Sequence, residues 1–340
     1  MPERLLWIDT ANTDPYRNLA MEEYMTMHVP AGTVVLFLWQ NRRTVVIGRN
    51  QDAYRECRTE LLEREGGFLA RRLSGGGAVF HDLGNLNFTF MARKADYDVD
   101  RQLEVILRAV RRAGIPAEKT GRNDLTADGK KFSGNAFYRS GDCRYHHGTL
   151  MLSVDKEMVG RYLSVSREKL VSKGVASVRS RVGNLTDFAQ ELTLAQLKEN
   201  LIGAFEEVYG LPAERFDETA LDAAEIRQAR ERLASWEWRY GRRIPCTWET
   251  SRRFAWGEVC IRLQVNEGRI QDAAVFSDAM DHAFAAELAA CLTGCRFESG
   301  EMARAAERVT ALSGPGEKEM QEDIAELLAE DPAGAQAAPH

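Results

Sequence analysis

The sequence predicts an α+β protein with a mixed β-sheet. Candidate strands and helices interleave along the first 212 residues without strict βαβ alternation, which is typical of a mixed sheet. Beyond residue 212 the chain becomes charged and then aromatic, and a new set of short strands and helices begins near residue 245. We therefore expect a large domain over residues 1–245, with a linker at 219–245, and a small α+β domain over 246–340.

The predicted elements of the large domain follow from composition and periodicity. Strand segments are rich in β-branched and aromatic residues, and helical segments carry an apolar stripe. The strands are 34–39, 44–48, 86–91 and 147–154, and the helices are 18–24, 54–65, 100–113 and 193–209. Asn18 is expected to cap the first helix, and Thr193 with Gln196 to form a capping box on the last.

The second part of the chain is predicted in the same way. A charged helix at 219–233 and an aromatic, basic segment at 236–245 form the linker. The Asn266-Glu267-Gly268 turn predicts a hairpin between the strands 253–265 and 269–276. Helices are expected at 283–292 and 302–328, followed by a frayed tail over 331–340.

Composition excludes several classes of protein. Hydrophobic residues make up 44% of the chain and charged residues 28%, which excludes wholesale disorder. No apolar run approaches the roughly 20 residues that span a bilayer, and the N-terminus lacks a signal-peptide core, so we expect a cytoplasmic protein. The net charge of −6 gives no sign of a nucleic-acid or membrane partner.

The six scattered cysteines predict reduced, mostly buried thiols. The absence of a coiled-coil pattern predicts a monomer.

The most informative motif runs from Arg71 to Asn85, with the sequence RRLSGGGAVFHDLGN. Three consecutive glycines let a ligand approach the main chain, whose N–H groups can surround an anion. The two arginines add fixed positive charge suited to a phosphate or a carboxylate. A glycine-rich turn with solvated arginines is the alternative, but Ser, His, Asp and Asn in the same short segment favour a ligand loop. The motif is neither a Walker A loop nor a dinucleotide fingerprint.

A second cluster covers residues 121–136 and contains Asn123-Asp124 and Lys130-Lys131. A carboxylate beside an amide suits a divalent cation near phosphates, and a lysine can reach a phosphoryl oxygen. By themselves these residues would be read as a capped turn and a solvated hairpin end.

Two further segments carry polar residues. His146 and His147 are adjacent on a predicted strand and so point to opposite faces, which makes them a poor metal pair; one is expected to be buried and hydrogen-bonded. Residues 169–185 hold basic residues and no acid. They form either a solvated loop or a segment that moves over a charged intermediate.

Together these motifs, in this order and spacing, resemble the lipoate–protein ligase A family in its two-domain form. The resemblance extends to residues 18–23, 36–41, 44–49, 236–238 and 253–278, and so covers nearly the whole chain. It implies a catalytic domain with the biotin/lipoate ligase fold, related to class II aminoacyl-tRNA synthetases, and a small accessory C-terminal domain.

The resemblance also implies a reaction. Lipoate and Mg-ATP would give lipoyl-AMP and pyrophosphate, and the lipoyl group would pass to a lysine of an acceptor protein. The acceptors would be apo lipoyl domains of 2-oxoacid dehydrogenases and the glycine-cleavage H protein, with octanoate as a possible second acid. ATP and Mg²⁺ would be required, and no tightly bound prosthetic group is expected.

Site residues are carried over from the family position by position, with Lys131 as the catalytic residue. The implied ATP contacts are Arg72, Gly77, Ala78, Val79, Phe80, Lys131, Asn123 and Asp124, with Asp124 also proposed for Mg²⁺. The implied lipoate contacts are Trp39, Arg71, Ser74, Gly76, His81, Lys131 and Arg139. The implied adenylate loop includes Lys173, Gly174, Val175, Ser177, Val178 and Arg181.

Two alternatives belong to other functional classes. A lipoyl or octanoyl transferase would use a pre-activated acyl donor, and the thioester type needs a cysteine near the lysine element. The segment before Lys131 has none, and Cys143 lies twelve residues after it. A non-catalytic lipoate binder would not need the nucleotide and metal residues Arg72, Asp124 and Lys131.

Overall fold

The computed structural model describes residues 2–120, 124–164, 182–241, 243–310 and 317–330. The chain divides into two compact units. The first comprises Met1–Val46, Arg55–Arg71 and Val79–Arg239, and the second Ile47–Tyr54, Arg72–Ala78 and Tyr240–His340. None of the described helices is long and apolar enough to cross a membrane.

The elements are numbered here along the chain. The strands are β1 Arg4–Asp9, β2 Thr33–Trp39, β3 Thr44–Ile47, β4 Phe68–Arg71, β5 Val79–His81, β6 Asn85–Arg93, β7 Ala117–Thr120, β8 Asp124–Ala127, β9 Lys130–Ser140, β10 Cys143–Met151, β11 Ala213–Arg215, β12 Trp248–Arg253, β13 Glu258–Asn266 and β14 Arg269–Ser277. The described α-helices are α1 Pro15–His28, α2 Ala53–Glu56, α3 Thr59–Arg64, α4 Val99–Arg111, α5 Lys156–Tyr162, α6 Leu194–Tyr209, α7 Ala223–Ala234, α8 Trp236–Tyr240, α9 Phe284–Leu292, α10 Ser299–Ala306 and α11 Glu317–Ala329. Short 3₁₀ turns lie at Lys94–Asp96, Leu185–Asp187 and Glu218–Ala220.

The first unit is built on an eight-stranded sheet in the order β11-β1-β2-β6-β10-β9-β8-β7. Strand β1 runs parallel to β2 and β11, whereas β2, β6, β10 and β9 pair antiparallel. The predicted mixed-sheet α+β fold is confirmed. A separate small sheet has the order β4-β3-β5.

The two faces of the large sheet bury different side chains. On one face, even-numbered residues of β2 and β6 such as Leu36 and Phe88 form an apolar core with α4 and α6, and we call this the α4/α6 face. On the opposite face, odd-numbered residues such as Trp39 and Thr89 lie with α1, and we call this the α1 face. Both faces are buried, which explains why β6 is solvent-protected along nearly its whole length.

Several element boundaries differ from prediction for local reasons. The first helix starts at Pro15 and is capped by Asp14, because proline suits the first helical turn. Asn18 lies buried inside this helix, so its predicted capping role is wrong. The helix predicted at 54–65 is broken at Cys57-Arg58 into α2 and α3. The capping box of Thr193 and Gln196 is confirmed.

Strands β7, β8 and β9 were not predicted because their polar residues interrupt the apolar alternation. Strand β10 ends at Met151 rather than at residue 154.

The second unit contains the antiparallel sheet β12-β13-β14 and helices α9, α10 and α11 around one apolar core. The predicted hairpin turn is confirmed, with β13 and β14 meeting at Glu267-Gly268. The helix predicted over 302–328 is two described helices, α10 and α11. The segments 47–54 and 72–78 join this unit through backbone hydrogen bonds, from Ser277 N to Asn50 O at 2.9 Å and from Gly76 N to Ala279 O at 2.8 Å.

Candidate active site

Lys131 and Asp124 form the charged pair of the first unit's candidate site. Strands β8 and β9 pair antiparallel with a register shift after Leu125, and the lysine Nζ lies 2.6 Å from Asp124 Oδ1. A Cβ at Gly134 would lie 3.1 Å from both Cε and Nζ of Lys131, so glycine leaves the lysine room to cross its own strand. The two side chains are 38% and 43% exposed, so this charge can meet a ligand from solvent.

The donor set around Asp124 bears on the metal that the family implies. Among the described residues, no group of three His, Cys, Asp or Glu side chains could hold a metal ion. Mg²⁺ is commonly held by one or two carboxylates together with substrate phosphates. Asp124 therefore fits an ion that arrives with a nucleotide, and does not fit a metal site built by protein ligands alone. Asn123 lies outside the described residues.

Strand β5 carries Val79, Phe80 and His81, and pairs antiparallel with β3. His81 and Phe80 are both almost fully buried, and adjacent residues of a strand point to opposite sides. The His81 ring meets Trp39 edge-on at 6.3 Å between ring centroids, and its Nδ1 lies 3.2 Å from Asn41 Nδ2. The structure thus brings together the predicted lipoate residues Trp39 and His81.

A buried polar network on the α1 face orients Trp39. Its indole Nε1 donates to Thr89 Oγ1 at 3.0 Å, and that hydroxyl donates to Glu22 Oε1 at 2.7 Å. His147 Nδ1 lies 2.8 Å from the same carboxylate oxygen. Glu22 is 1% exposed, and burying a carboxylate is costly unless its hydrogen bonds are satisfied. Sequence reasoning missed Glu22 and Thr89, because an acid in a first helical turn and a threonine in a strand are ordinary surface signals.

The two adjacent histidines are both buried, although only one was expected to be. His146 points to the α4/α6 face, where Nε2 lies 2.9 Å from Asn135 Oδ1 and Nδ1 lies 3.1 Å from Gln102 Oε1. Burial lowers the pKa of His146 to about 3, with a smaller contribution from the charges of His147 and Lys119. The imidazole is therefore neutral and structural.

Arg71 and Arg72 are adjacent but have different partners. The Arg71 guanidinium donates to the carbonyl oxygens of Trp238 and Arg239 at 2.9 Å each, and Trp238 Nε1 donates back to Arg71 O at 2.8 Å. Arg71 therefore ties its strand to α8. Its implied lipoate contact remains a prediction, and would require the side chain to leave these carbonyls.

Within the second unit, Arg72 organises the glycine loop. Its guanidinium donates to Ser74 Oγ at 3.0 Å, to Gly75 O at 2.6 Å and to Gly77 O at 2.8 Å. Gly76 has φ of +89°, a conformation that favours glycine. A Cβ on Gly75 would lie 2.4 Å from the carbonyl oxygens of Ala279 and Met280. The structure thus groups Arg72, Ser74, Gly76, Gly77 and Ala78 in one loop.

Arg139 is not brought to Lys131. The two residues lie eight positions apart on β9, which at strand spacing is about 26 Å. Arg139 instead lies opposite Arg144 on β10. The implied adenylate-loop residues Lys173, Gly174, Val175, Ser177, Val178 and Arg181 lie outside the described residues. Just beyond them, Gly183 N donates to Lys131 O at 2.9 Å.

Comparison with known proteins adds to this geometry. Residues 14–206 match the family described as "Lipoyl protein ligase A/B catalytic domain", and residues 244–328 match "Bacterial lipoate protein ligase C-terminus". The chain belongs to the lipoyl protein ligase A/B family. The resemblance on which the sequence prediction rested is confirmed.

Individual relatives align with most of the chain. The chain is 39% identical over 286 residues to a lipoate-protein ligase A of Psychrobacter cryohalolentis, and the alignment covers 82% of this chain and 84% of that protein. A bipartite lipoate protein ligase of Thermoplasma acidophilum, solved with its E2 lipoyl domain, is 28% identical with a TM-score of 0.62, covering 72% of this chain and 99% of that one.

Two further solved structures share this fold. A lipoate-protein ligase A bound with ATP is 27% identical with a TM-score of 0.61 and covers 71% of this chain and 99% of that one. P. falciparum LipL1 in complex with lipoate has a TM-score of 0.83 at 24% identity, covering 96% of this chain and all of that one. The LipL1 likeness shows the fold alone.

Proposed function

We propose that this chain is an ATP-dependent lipoate–protein ligase, which forms lipoyl-AMP from lipoate and Mg-ATP and transfers the lipoyl group to a lysine of an apo lipoyl domain. The observation that carries this proposal is the partly exposed pair of Lys131 on β9 and Asp124 on β8, with the lysine at the position of the family's lysine element. Family relatives are named for this reaction, and one is solved with ATP and another with a lipoyl domain.

Activation is needed because a carboxylate is a poor acylating agent. Adenylation turns one carboxylate oxygen into a good leaving group, but it requires two anions to meet. Lys131 supplies a mobile positive charge where lipoate's carboxylate attacks the α-phosphate. In this proposal Asp124 holds the lysine in the free protein, and its carboxylate would hold the magnesium ion that accompanies ATP. The ion would offset the phosphate charge.

The remaining site residues have separable roles in the proposal. Arg72, Gly77 and Ala78 of the glycine loop would contact ATP, together with Val79 and Phe80. Trp39 and His81 would bind the lipoyl chain on the α1 face, and Ser74 and Gly76 keep their implied lipoate contacts as predictions. Arg71, Arg139 and the loop at 173–181 keep their implied roles as predictions, as do the domain boundary at 245–246, a cytoplasmic location and a monomeric state.

Acceptors in this proposal are apo lipoyl domains of 2-oxoacid dehydrogenases and the glycine-cleavage H protein. The thioester-transfer alternative is disfavoured by the position of Cys143, which is buried at the opposite end of β10 from Lys131 and lies 3.1 Å from Arg93 Nη1. None of the six cysteines forms a disulfide in the described part of the chain.

Pyrophosphate release in the absence of any acceptor tests the first half-reaction. Purified protein mixed with Mg-ATP should release pyrophosphate when lipoate is added, and biotin should have no effect. Octanoate serves as the comparison for acid selectivity. No release with any acid would favour a transferase that uses a pre-activated donor, or a non-catalytic binder.

Lys131→Ala should slow lipoate-dependent pyrophosphate release by about 100-fold or more, because one charged donor to the transition state is lost. Lys130→Ala is the matched control. Lys130 is exposed and lies over the Phe188 ring, 6.0 Å from its centroid, so removing it should leave the rate nearly unchanged. Wild-type rates from Lys131→Ala, with the fold checked by thermal unfolding, would show that the wrong lysine was assigned.

A further inference from the structure

Strand β5 is only three residues long, yet it carries residues for both proposed substrates. A strand this short has few backbone hydrogen bonds of its own, with register pairs to β3 at Val46, Val45 and Thr44. Its side chains therefore depend on neighbours for their positions. Two separate sets of side chains meet Phe80 and His81, and these two residues point to opposite sides of the strand.

The first set, which we call the asparagine relay, consists of Asn18 and Asn41. Asn18 Nδ2 donates to Asn41 Oδ1 at 3.0 Å, and Asn41 Nδ2 lies 3.2 Å from His81 Nδ1. Both asparagines are fully buried. Asn18 Nδ2 also donates to Gln40 O at 2.9 Å, which fixes the orientation of its amide.

The direction of the relay determines the His81 tautomer. Because Asn41 Oδ1 already accepts from Asn18, the group that Asn41 turns to His81 is its NH₂ donor. His81 Nδ1 must then be the acceptor, and a neutral imidazole with an accepting Nδ1 carries its proton on Nε2. The relay thus makes His81 carry its proton on Nε2, and its ring lies 6.3 Å from the Trp39 ring between centroids.

The second set, which we call the Tyr162 clamp, consists of Tyr162, Glu65 and Arg161. The Tyr162 ring lies 5.5 Å from the Phe80 ring between centroids and is 1% exposed. Its hydroxyl donates to Glu65 Oε2 at 2.6 Å, and Arg161 Nε donates to the same oxygen at 2.9 Å. The backbone anchors the clamp as well, since Arg58 N donates to Tyr162 O at 2.9 Å.

We propose that these two supports set the two substrate affinities independently: the asparagine relay holds His81 in the Nε2–H tautomer for lipoate, and the Tyr162 clamp positions Phe80 for ATP. Asn18, Asn41, Tyr162 and Glu65 are thus positioning residues. This inference rests on the proposed ligase function, because it assumes lipoate on the His81 side of β5 and ATP on the Phe80 side.

Asn41→Asp tests the relay with little change in shape. The carboxylate can still accept from Asn18, but it cannot donate to His81 Nδ1, so the His81 proton must move to Nδ1 or the ring must become doubly protonated. We expect the KM for lipoate to rise about 10-fold or more, with the KM for ATP within about twofold of wild type. Imidazole ¹⁵N shifts of His81 should show the Nε2–H tautomer in wild type and lose it in the variant.

Tyr162→Phe tests the clamp by removing one hydroxyl group. The KM for ATP should rise about 3- to 10-fold, with the KM for lipoate within about twofold of wild type. Tyr97→Phe is the matched control: Tyr97 also donates a hydroxyl hydrogen bond, to Tyr145 O at 3.2 Å, but at the opposite end of the sheet from Lys131. It should change neither KM.

The KM values for lipoate and for ATP, measured in both variants, decide the proposal. If wild type shows no lipoate-dependent pyrophosphate release, the proposed function itself fails. If wild type is active and either variant shifts both KM values together, or shifts neither, the independent supports are refuted. An Nδ1–H tautomer in wild type would overturn the relay alone.

Discussion

Both faces of the large sheet are buried, but the buried side chains differ in polarity. On the α4/α6 face, Phe88 and Phe90 pack against His146 and α6, and most of the buried side chains are apolar. On the α1 face, the side chains of the same strands include Asn87 and Thr89, and α1 contributes Glu22. The α1 face therefore holds polar groups that contribute less to stability than apolar ones would.

The α1 face keeps polar side chains at buried positions where apolar side chains would stabilise the fold more. Apolar residues of the right size would stabilise the α1 face as they do the other one. Instead, Trp39, Thr89, Glu22 and His147 form one hydrogen-bonded network next to His81. Mutations on the α4/α6 face should mainly change stability, and mutations on the α1 face should mainly change the KM for lipoate.

The largest expected effect on stability is on the α4/α6 face. Phe88→Ala should lower the free energy of unfolding by about 3–5 kcal/mol, because it leaves a cavity between Phe90 and His146. Leu83→Ala is the control at an exposed position and should change stability by less than about 0.5 kcal/mol. Denaturant unfolding measures both. An unchanged stability of Phe88→Ala, or a raised KM for lipoate in its folded fraction, would break the distinction between the faces.

His146 gives the α4/α6 face a pH signature. Burial lowers its pKa from the ordinary 6.5 of a histidine to about 3 in the folded protein. Below about pH 6.5 the unfolded state therefore binds a proton that the folded state does not. This contribution of His146 to the free energy of unfolding should be fully present above pH 6.5. It should fall by about 1 kcal/mol per pH unit as the pH drops toward 3.

Replacing His146 by Gln should remove this slope between pH 6.5 and 5, above the range in which most carboxylates titrate. Thermal or denaturant unfolding at a series of pH values measures it. Equal slopes in wild type and the variant over that window would show that His146 can become charged while buried. Below pH 5, Glu65 also makes stability depend on pH, because hydrogen bonds from Arg161 and Tyr162 lower the pKa of its carboxyl group to about 2. The contribution of Glu65 to stability is lost as the pH falls from about 4.5 through 2.

The smallest effect on stability, and the most specific effect on function, is expected from Thr89→Val on the α1 face. Valine keeps the shape but ends the hydrogen bonds to Trp39 and Glu22, so stability should fall by about 1–3 kcal/mol and the KM for lipoate should rise about 10-fold. Thr26→Val is the matched control. Thr26 is as deeply buried, but its hydroxyl donates to the Glu22 backbone carbonyl within α1. Equal KM values for the two variants would contradict a binding role for the network.

Local patterns were enough to predict part of this fold. Strands β2 and β6 and the helix α6 follow from β-branched runs, apolar periodicity and the Thr193 capping box, all of which act within a few residues. The start of α1 was missed because Asn18 resembles a cap, whereas its side chain serves Gln40 and Asn41 more than twenty residues away. Strand β9 was missed because Lys130, Ser133 and Asn135 break its alternation.

The candidate site was predicted by motif rather than by contact. The sequence indicated Lys131 and Asp124, but their pairing depends on the register of β8 and β9, which the sequence does not specify. It gave no sign that Arg71 bonds to carbonyls 167 and 168 residues further along the chain. Such partners are set by tertiary packing, and no local pattern encodes them.

The most direct test of the ligase function is ATP-dependent transfer measured by intact mass. The protein would be mixed with lipoate and an apo lipoyl domain, with and without Mg-ATP, and the mass of the domain followed over time. We predict one lipoyl group on one lysine of the domain, only when both lipoate and ATP are present. Transfer that proceeds without ATP, or only from supplied lipoyl-AMP, would contradict the ligase function.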